Sequence, residues 1–160
     1  MQIEILVVGR MKAGPERELY NRYSDRIARS GRSLHLTGPN LIEISESKAD
    51  DVRLRKQDES HQLLSKVERD THVILLDENG KDCSSRQFAS LISSEQQAGT
   101  TSLAFAIGGP DGHGEEMRNR AIRSIRFGSM TWPHQLARVM LTEQIYRAIT
   151  ILSGHPYHRE

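Results

Sequence analysis

Two kinds of hydrophobic pattern alternate along this chain, which predicts strands that alternate with helices. Continuous apolar and β-branched runs, typical of strands buried on both faces, lie at residues 2–8, 41–44, 71–76, 102–107 and 125–130. Apolar residues three or four positions apart, typical of amphipathic helices, lie at residues 15–30, 49–68, 85–97, 114–123 and 135–152. This alternation predicts an α/β fold with a mostly parallel sheet flanked by helices.

Glycine and proline mark several boundaries between these elements. Gly9 stops the first strand, and Pro15 is suited to the first turn of a helix. The Asn79-Gly80 pair predicts a turn after the third strand. Residues 31–40 have no clear pattern and are expected to form a flexible loop. A chain of 160 residues without a repeat or linker is expected to form a single domain over residues 1–160.

The charge balance argues for no particular partner. Lys and Arg total 22 and Asp and Glu total 21, which leaves a net charge of +1. The basic residues are nonetheless 17 Arg and 5 Lys. Because a guanidinium binds phosphate through a planar fork and stacks on bases, this bias is compatible with RNA binding. Coding by a GC-rich genome produces the same bias, so both explanations stay open.

Several classes of protein are disfavoured by what the sequence lacks. The first residues have neither the basic nor the apolar region of a signal peptide, and no apolar run approaches the roughly 18 residues of a membrane span. A cytoplasmic protein without a membrane partner is therefore expected. Cys83 is the only cysteine, so neither an internal disulfide nor a cysteine-based zinc site is expected. The histidines lack the spacing of a metal site, so no metal is expected.

Three junctions between a strand and a loop are candidates for a small-molecule pocket. The glycine-rich segment Gly108 to Gly112 directly follows the strand at 102–107. In open α/β sheets ligands bind at the carboxyl ends of strands, and glycine lets the backbone approach them closely. Leu76 and the segment Phe127 to Trp132 lie at two further junctions. A tight turn at the glycines and core packing of Trp132 are the alternatives, and no dinucleotide or P-loop fingerprint is present.

The last helix and the residues after it carry a second group of polar side chains. Glu143 and Arg147 are four positions apart, so they share a helix face. Residues 155–160 add two histidines, a tyrosine, an arginine and a glutamate. This pattern fits either a reactive site completed by the tail or a solvated surface with a weak ion pair. Arg138 on the same helix is expected to be solvated.

Taken together, these segments resemble one known family. The sequence resembles the RlmH family of bacterial ribosomal RNA methyltransferases, which belongs to the SPOUT superfamily. The motifs that carry the resemblance are Ile107 to Gly112, Met130 to Gln135, Arg138-Val139, Glu143 to Ala148 and His155 to Arg159. The resemblance spans the whole chain, although residues 31–70 match only in character.

This resemblance implies a fold, a cofactor and partners. It implies a SPOUT-type trefoil-knotted α/β fold, a homodimer, and S-adenosylmethionine as the methyl donor. The implied substrate is N3 of a pseudouridine in 23S ribosomal RNA within the assembled 70S ribosome, and DNA is not a partner. The residues implied to hold the cofactor are Leu76, Gly108, Gly109, Phe127, Gly128, Ser129, Met130, Thr131 and Trp132. The residues implied to serve the target base are Glu143, Arg147, Tyr157, His158 and Arg159.

The implied chemistry is consistent with the residue types of the second group. The N3–H group of pseudouridine is weakly acidic, so its anion must be promoted before it accepts a methyl group. Arg147 or Arg159 is expected to stabilise negative charge on the ring carbonyls. Glu143 or His158 is expected to accept the proton, and Tyr157 to stack on or orient the base.

Two other functions compete with this interpretation. The first is a non-catalytic RNA-binding or ribosome-associated protein, which needs the arginines and the tail but no cofactor pocket. The second is a nucleotide-binding hydrolase on a flavodoxin-like sheet, against which the missing phosphate loop argues. Binding of S-adenosylmethionine, detected as a gain in thermal stability, discriminates the enzyme from both.

Overall fold

The computed structural model describes residues 1–158, within which five strands alternate with five α-helices. In chain order the elements are β1 (Gln2–Val8), α1 (Pro15–Ser30), β2 (Thr37–Ile44), α2 (Val52–Leu64), β3 (His72–Asp82), α3 (Ser85–Gln97), β4 (Ser102–Ile107), α4 (Glu115–Arg120), β5 (Ala121–Arg126) and α5 (His134–Leu152). A short 3-10 helix, Gly31–Leu34, connects α1 to β2. The predicted α/β architecture is confirmed.

The five strands form one sheet in the order β2-β1-β4-β3-β5, and all neighbouring strands are parallel. The register places Ile5 of β1 between Leu41 and Phe105, and Phe105 next to Ile74 of β3. Because the strands are parallel, the segments that follow β3, β4 and β5 all leave the sheet at its carboxyl edge. This is the edge at which ligands bind in open α/β sheets.

The central strands are buried on both faces by helices. Ile5 and Val7 of β1 pack into a larger core that includes side chains of α1, α3 and α5. Leu6 and Val8 point to the other face and pack with side chains of α2 and α4. Full burial of side chains of this size contributes about 1.5–3 kcal/mol each. No described helix has both the length and the apolar character needed to cross a membrane.

The expectation that residues 31–40 form a flexible loop is wrong. The 3-10 helix occupies its first half, and β2 begins at Thr37, which pairs with Gln2 of β1. β2 is an edge strand with β1 as its one neighbour. An edge strand tolerates Pro39, because one of its sides needs no backbone donor. The sequence pattern could not reveal this pairing, which depends on a distant strand.

The strand expected to end at Leu76 continues to Asp82, so the turn expected at Asn79-Gly80 lies inside β3. Leu76 and Lys81 both pair with Ile125 of β5, which shows that residues 77–80 leave the ladder between them. A Cβ atom added to Gly80 would lie 2.5 Å from the carbonyl carbon of Ile125. Gly80 therefore permits the close approach of two strands.

The boundary between the fourth helix and the last strand lies earlier than the pattern predicts. α4 ends at Arg120, and β5 covers Ala121–Arg126 in place of residues 125–130. The pairing of Val73 with Ala121 fixes the start of the strand. Residues 127–130 are consequently free to form a loop at the edge of the sheet.

Arg138 of α5 lies in the interior, so the expectation that it is solvated is wrong. Its side chain is 1% exposed and forms an ion pair with Glu43 of β2. Its Nη2 donates to the carbonyl oxygen of Gly9 at 3.0 Å, and Glu43 also accepts the N–H of Met11 at 2.8 Å. Burial lowers the pKa of Arg138, while the Glu43 carboxylate opposes that shift. Through these contacts, Arg138 and Glu43 hold α5 against the loop that follows β1.

Replacing Arg138 with Met should lower the free energy of unfolding by about 3–5 kcal/mol, because the partner carboxylate of a buried pair is left without its cation. For a chain of this size that loss lowers Tm by roughly 10 °C, which calorimetry measures. Arg29→Met, at an exposed position of α1, is the matched control and should stay within about 0.5 kcal/mol of the parent. Equal melting temperatures for the two variants would contradict a structural role for the pair.

Candidate active site

A cleft of about 320 Å³ opens at the carboxyl edge of the sheet. It lies where the part of β3 that leaves the ladder after Leu76 meets the segments that follow β4 and β5. The predicted cofactor residues that line it are Leu76, Gly108, Gly109, Phe127, Gly128, Met130, Thr131 and Trp132. Ser129 is the one predicted cofactor residue that does not line it. The structure therefore brings the three strand-to-loop junctions together.

The glycines after β4 form a tightly packed floor for this cleft. The N–H of Gly112 donates to the carbonyl oxygen of Gly109 at 2.9 Å and closes a turn. A Cβ atom on Gly108 would lie 2.9 Å from the carbonyl carbon of Gly112. A Cβ atom on Gly109 would lie 2.8 Å from Oε2 of Glu59 and 3.1 Å from Cγ1 of Val8. A larger residue at Gly108 would meet backbone, and one at Gly109 would require the Glu59 and Val8 side chains to shift.

His113, considered in the sequence only as a metal ligand, holds two walls of the cleft together. Its side chain is buried, and Nε2 lies 3.0 Å from the carbonyl oxygen of Leu76. Burial lowers the pKa of His113, so the ring is neutral and Nε2 carries the proton that it donates. Nearby, Nη2 of Arg118 lies 2.7 Å from Oδ2 of the buried Asp77 side chain. These two contacts fix β3 at Leu76 and Asp77 against the residues that follow the glycine loop.

The loop after β5 forms the outer wall of the cleft. The indole Nε1 of Trp132 donates to the carbonyl oxygen of Phe127 at 3.0 Å, which closes the loop on itself. Gly128 has a φ of +92°, a conformation that favours glycine. Trp132 is 39% exposed, so it does not take the alternative role of core packing. Its ring is available to a flat aromatic ligand.

The polar residues of α5 and the tail form a second cluster. Oε1 of Glu143 accepts hydrogen bonds from Nη2 of Arg147 at 2.5 Å and from the hydroxyl of Tyr157 at 3.0 Å. The guanidinium carbon of Arg147 lies 5.0 Å from the centroid of the Tyr157 ring. Nη1 of Arg147 lies 3.5 Å from Nδ1 of His158. The structure thus joins four predicted catalytic residues, and the fifth, Arg159, lies outside the described residues.

The electrostatics of this cluster limit which groups exchange protons. Burial, together with hydrogen bonds to Tyr23 and Glu143, holds the pKa of Tyr157 well above its usual value. Tyr157 is therefore a neutral donor near pH 7. The Glu143 carboxylate raises the pKa of Arg147, which stays cationic. Because a guanidinium has only donors, Nδ1 of His158 faces it as an acceptor.

A second cleft connects the cluster with the first one. It measures about 600 Å³ and lies between α1, α3 and α5. Glu143 lines it, and Phe127 lines both clefts. A ligand in the cleft at the sheet edge and a base near the cluster would therefore be neighbours across Phe127.

No set of three or more metal-ligating side chains converges anywhere in residues 1–158. The half-buried Cys83 has its pKa raised by burial, which keeps the thiol protonated and unreactive. The chemistry available to the site is therefore that of guanidinium, carboxylate, phenol and imidazole groups at the edge of a glycine-lined cleft.

A family model described as "Predicted SPOUT methyltransferase" matches residues 1–158. The chain belongs to the SPOUT methyltransferase family. It is also similar over its length to proteins named "Ribosomal RNA large subunit methyltransferase H". The one from Chelativorans sp. (strain BNC1) is 51% identical over 160 residues, which cover 100% of this chain and 92% of the relative. Those from Mesorhizobium japonicum and Brucella anthropi are 48% and 46% identical over 159 residues, with 99% of both chains covered. The resemblance seen in the sequence motifs of this SPOUT methyltransferase is thereby confirmed.

Proposed function

We propose that this SPOUT methyltransferase transfers a methyl group from S-adenosylmethionine to N3 of a pseudouridine in 23S ribosomal RNA, within the assembled 70S ribosome in the cytoplasm. The observation that carries the proposal is the pair of clefts that share Phe127. One has a glycine floor and the other has the cluster around Arg147. The names of the relatives support ribosomal RNA as the substrate. The pseudouridine, its N3 atom and the assembled ribosome rest on the motif resemblance.

The residues of the first cleft fit a nucleoside-type cofactor. Its volume of about 320 Å³ is within the range of small-molecule sites. Gly108 and Gly109 line it, and the exposed indole of Trp132 offers an apolar face. We propose that these features hold S-adenosylmethionine in a single domain that carries the trefoil knot of the SPOUT superfamily.

The cluster on α5 and the tail provides the groups that the target base requires. When bound, S-adenosylmethionine supplies a methyl group on a sulfonium. Arg147 stabilises the negative charge that spreads over the ring carbonyls when N3 loses its proton. Glu143 fixes the guanidinium, and the Tyr157 ring orients the base.

The proton of N3 goes to Glu143 or to His158, and the geometry distinguishes what each must do. Glu143 already accepts hydrogen bonds from Arg147, Tyr157 and Gln144, the last at 2.8 Å. These three bonds leave one lone pair, on Oε2, to take the proton. His158 needs only to turn Nδ1 away from Arg147. A pH–rate profile distinguishes the two acceptors. If His158 is the acceptor, the fall in rate towards low pH disappears in His158→Ala. If Glu143 is the acceptor, that fall persists.

We also propose a homodimer whose interface includes the second cleft. Leu19 of α1 and Leu136 of α5 are exposed, and Met140 of α5 is half-buried. Leu19 and Met140 both line the second cleft. Light scattering at micromolar concentration should give twice the chain mass of 18.1 kDa. Leu19→Glu combined with Met140→Glu should give the single-chain mass, because a carboxylate is costly to bury.

Leu54→Glu is the control for the dimer, since Leu54 is an exposed apolar residue on α2, on the opposite face of the sheet. It should leave the mass unchanged. A parent protein that scatters as a single chain would contradict the proposed dimer.

The experiment that tests the function uses labelled S-adenosylmethionine with three substrates: free 23S RNA, 50S subunits and 70S ribosomes. Label should enter the 70S ribosomes, and little should enter free RNA. A chain with a net charge of +1 gains little affinity from counterion release, so it needs a preformed ribosomal surface. No transfer to any substrate would overturn the proposed enzyme, and equal transfer to free RNA would overturn the ribosomal context.

A further inference from the structure

Gln144 of α5 links the Glu143 side chain to the first turn of α3. Its Nε2 donates to Oε2 of Glu143 at 2.8 Å, and its Oε1 accepts the hydroxyl of Ser85 at 2.8 Å. Ser85 is the first residue of α3 and lies 59 positions before Gln144 in the sequence. All three side chains are half-buried and line the second cleft. A hydrogen-bond network, Ser85–Gln144–Glu143, therefore runs along the wall of that cleft.

The direction of both bonds follows from which groups can donate. A carboxylate has only acceptors, so the atom of Gln144 that faces Oε2 of Glu143 must be the amide nitrogen. The amide oxygen then faces Ser85, whose hydroxyl must donate its one proton. The hydroxyl thus stabilises one of the two orientations of the amide, because a flipped amide would turn its oxygen towards the carboxylate.

The bond from Gln144 fixes the plane of the Glu143 carboxylate. Oε1 accepts the bonds from Arg147 and Tyr157. Because both of those bonds end on one oxygen, the carboxylate could still turn about that atom. The bond to Oε2 removes this freedom and gives the remaining lone pair of Oε2 a defined direction. Glu143 needs that lone pair if it takes the proton, and Arg147 needs an immobile partner if His158 takes it.

We propose that Gln144 is a positioning residue for methyl transfer, and that Ser85 holds its amide in the orientation that donates to Glu143. The inference rests on the proposed function and deepens it, because neither residue is among those predicted to serve the target base. Neither side chain lines the cofactor cleft. Their loss should therefore slow the chemical step and leave cofactor binding intact.

Ser85→Ala tests the far end of the network without disturbing the start of α3. The N-cap of α3 is Ser84, whose hydroxyl accepts the N–H of Gln87 at 3.2 Å, and this contact remains in the variant. Ser85→Ala should lower kcat with 70S ribosomes about three- to tenfold, the scale of one net hydrogen bond. Ser85→Thr keeps a hydroxyl and should recover most of that loss.

Ser94→Ala is the matched control for Ser85→Ala. Ser94 is an exposed residue of the same helix, and its hydroxyl donates to the carbonyl oxygen of Ser90 at 2.8 Å. This variant also loses a hydroxyl hydrogen bond, but one that stays within α3, so kcat should keep the parent value. The Kd for S-adenosylmethionine should be unchanged in both variants. A Ser85→Ala enzyme with the parent kcat, or with weaker cofactor binding, would overturn the inference.

A double-mutant cycle distinguishes positioning through the amide from a general effect on the fold. Gln144→Met keeps the length of the side chain and removes the amide, and it should lower kcat about tenfold, the scale of a hydrogen bond to a charged group. In that background Ser85→Ala should have no further effect, because the amide through which it acts is already lost. An additive loss, or the parent kcat in Gln144→Met, would overturn the inference.

Failure of the proposed function has a different signature. The parent protein would then transfer no methyl group to any of the three substrates. The NMR spectrum of ¹³C-labelled glutamate carboxyls still decides whether Ser85 positions Glu143. The Glu143 resonance, identified by its loss in Glu143→Gln, should shift in Ser85→Ala and stay in place in Ser94→Ala. An unshifted resonance in Ser85→Ala would overturn the inference.

Discussion

Deleting Tyr157 to Glu160 should lower methyl transfer to ribosomes at least about a hundredfold, the scale of losing a positioned acid–base or charge-stabilising group. The deletion removes the phenol that donates to Glu143 and the imidazole beside Arg147. It removes little of the core, because Tyr157 is half-buried at its margin. The ring pair with Tyr146 is worth about 1 kcal/mol, so Tm should fall by only a few degrees.

Two measurements accompany this deletion. Calorimetry should show that the affinity for S-adenosylmethionine falls modestly at most, because residues 157 and 158 do not line the cofactor cleft. If the truncated protein melts early and loses cofactor binding together with activity, the tail supports the fold. If methylation continues at near the parent rate, the tail is not part of the site. Either result contradicts the proposed role.

Replacing Gly109 with Val should abolish binding of S-adenosylmethionine while the chain remains folded. The added side chain meets the Glu59 carboxylate and the Val8 side chain, so the floor of the cleft must shift. Overpacking of this kind costs about 1–3 kcal/mol, which lowers Tm by several degrees without unfolding a domain of this size. Isothermal calorimetry measures the affinity, and circular dichroism checks the fold.

Gly99→Ala is the matched control for Gly109→Val. Gly99 follows α3 with a φ of +82° and has nothing within 4 Å of an added Cβ atom. Its replacement strains the backbone at a cost of about 1 kcal/mol but lies outside the cofactor cleft. Stability should therefore fall and affinity should persist. An unchanged affinity in Gly109→Val would remove the glycine loop from the cofactor site.

The elements with strong local patterns were predictable from the sequence. β1 and β4 are continuous apolar runs, and the structure places both of them as the pattern predicts. The errors at residues 31–40 and at the end of β3 have a different origin. β2 is defined by pairing with β1, and Gly80 by its approach to Ile125. Both are contacts between segments distant in sequence, which local composition does not record.

The candidate site was predictable where it depends on topology and not where it depends on packing. The three junctions meet because the carboxyl ends of parallel strands share one edge. Arg138 was missed because a charged residue on an amphipathic helix is usually exposed. Its burial depends on Glu43, on a strand far away in the sequence.

The most direct test of the central claim is mass spectrometry of the nucleosides of 23S ribosomal RNA. Ribosomes that lack the modification are incubated with the protein and S-adenosylmethionine, and their RNA is then digested. The account predicts one new nucleoside, pseudouridine with a methyl group on N3, which is absent when Arg147→Ala replaces the parent protein. A methyl group on another atom or another nucleoside, or no methyl group at all, would contradict it.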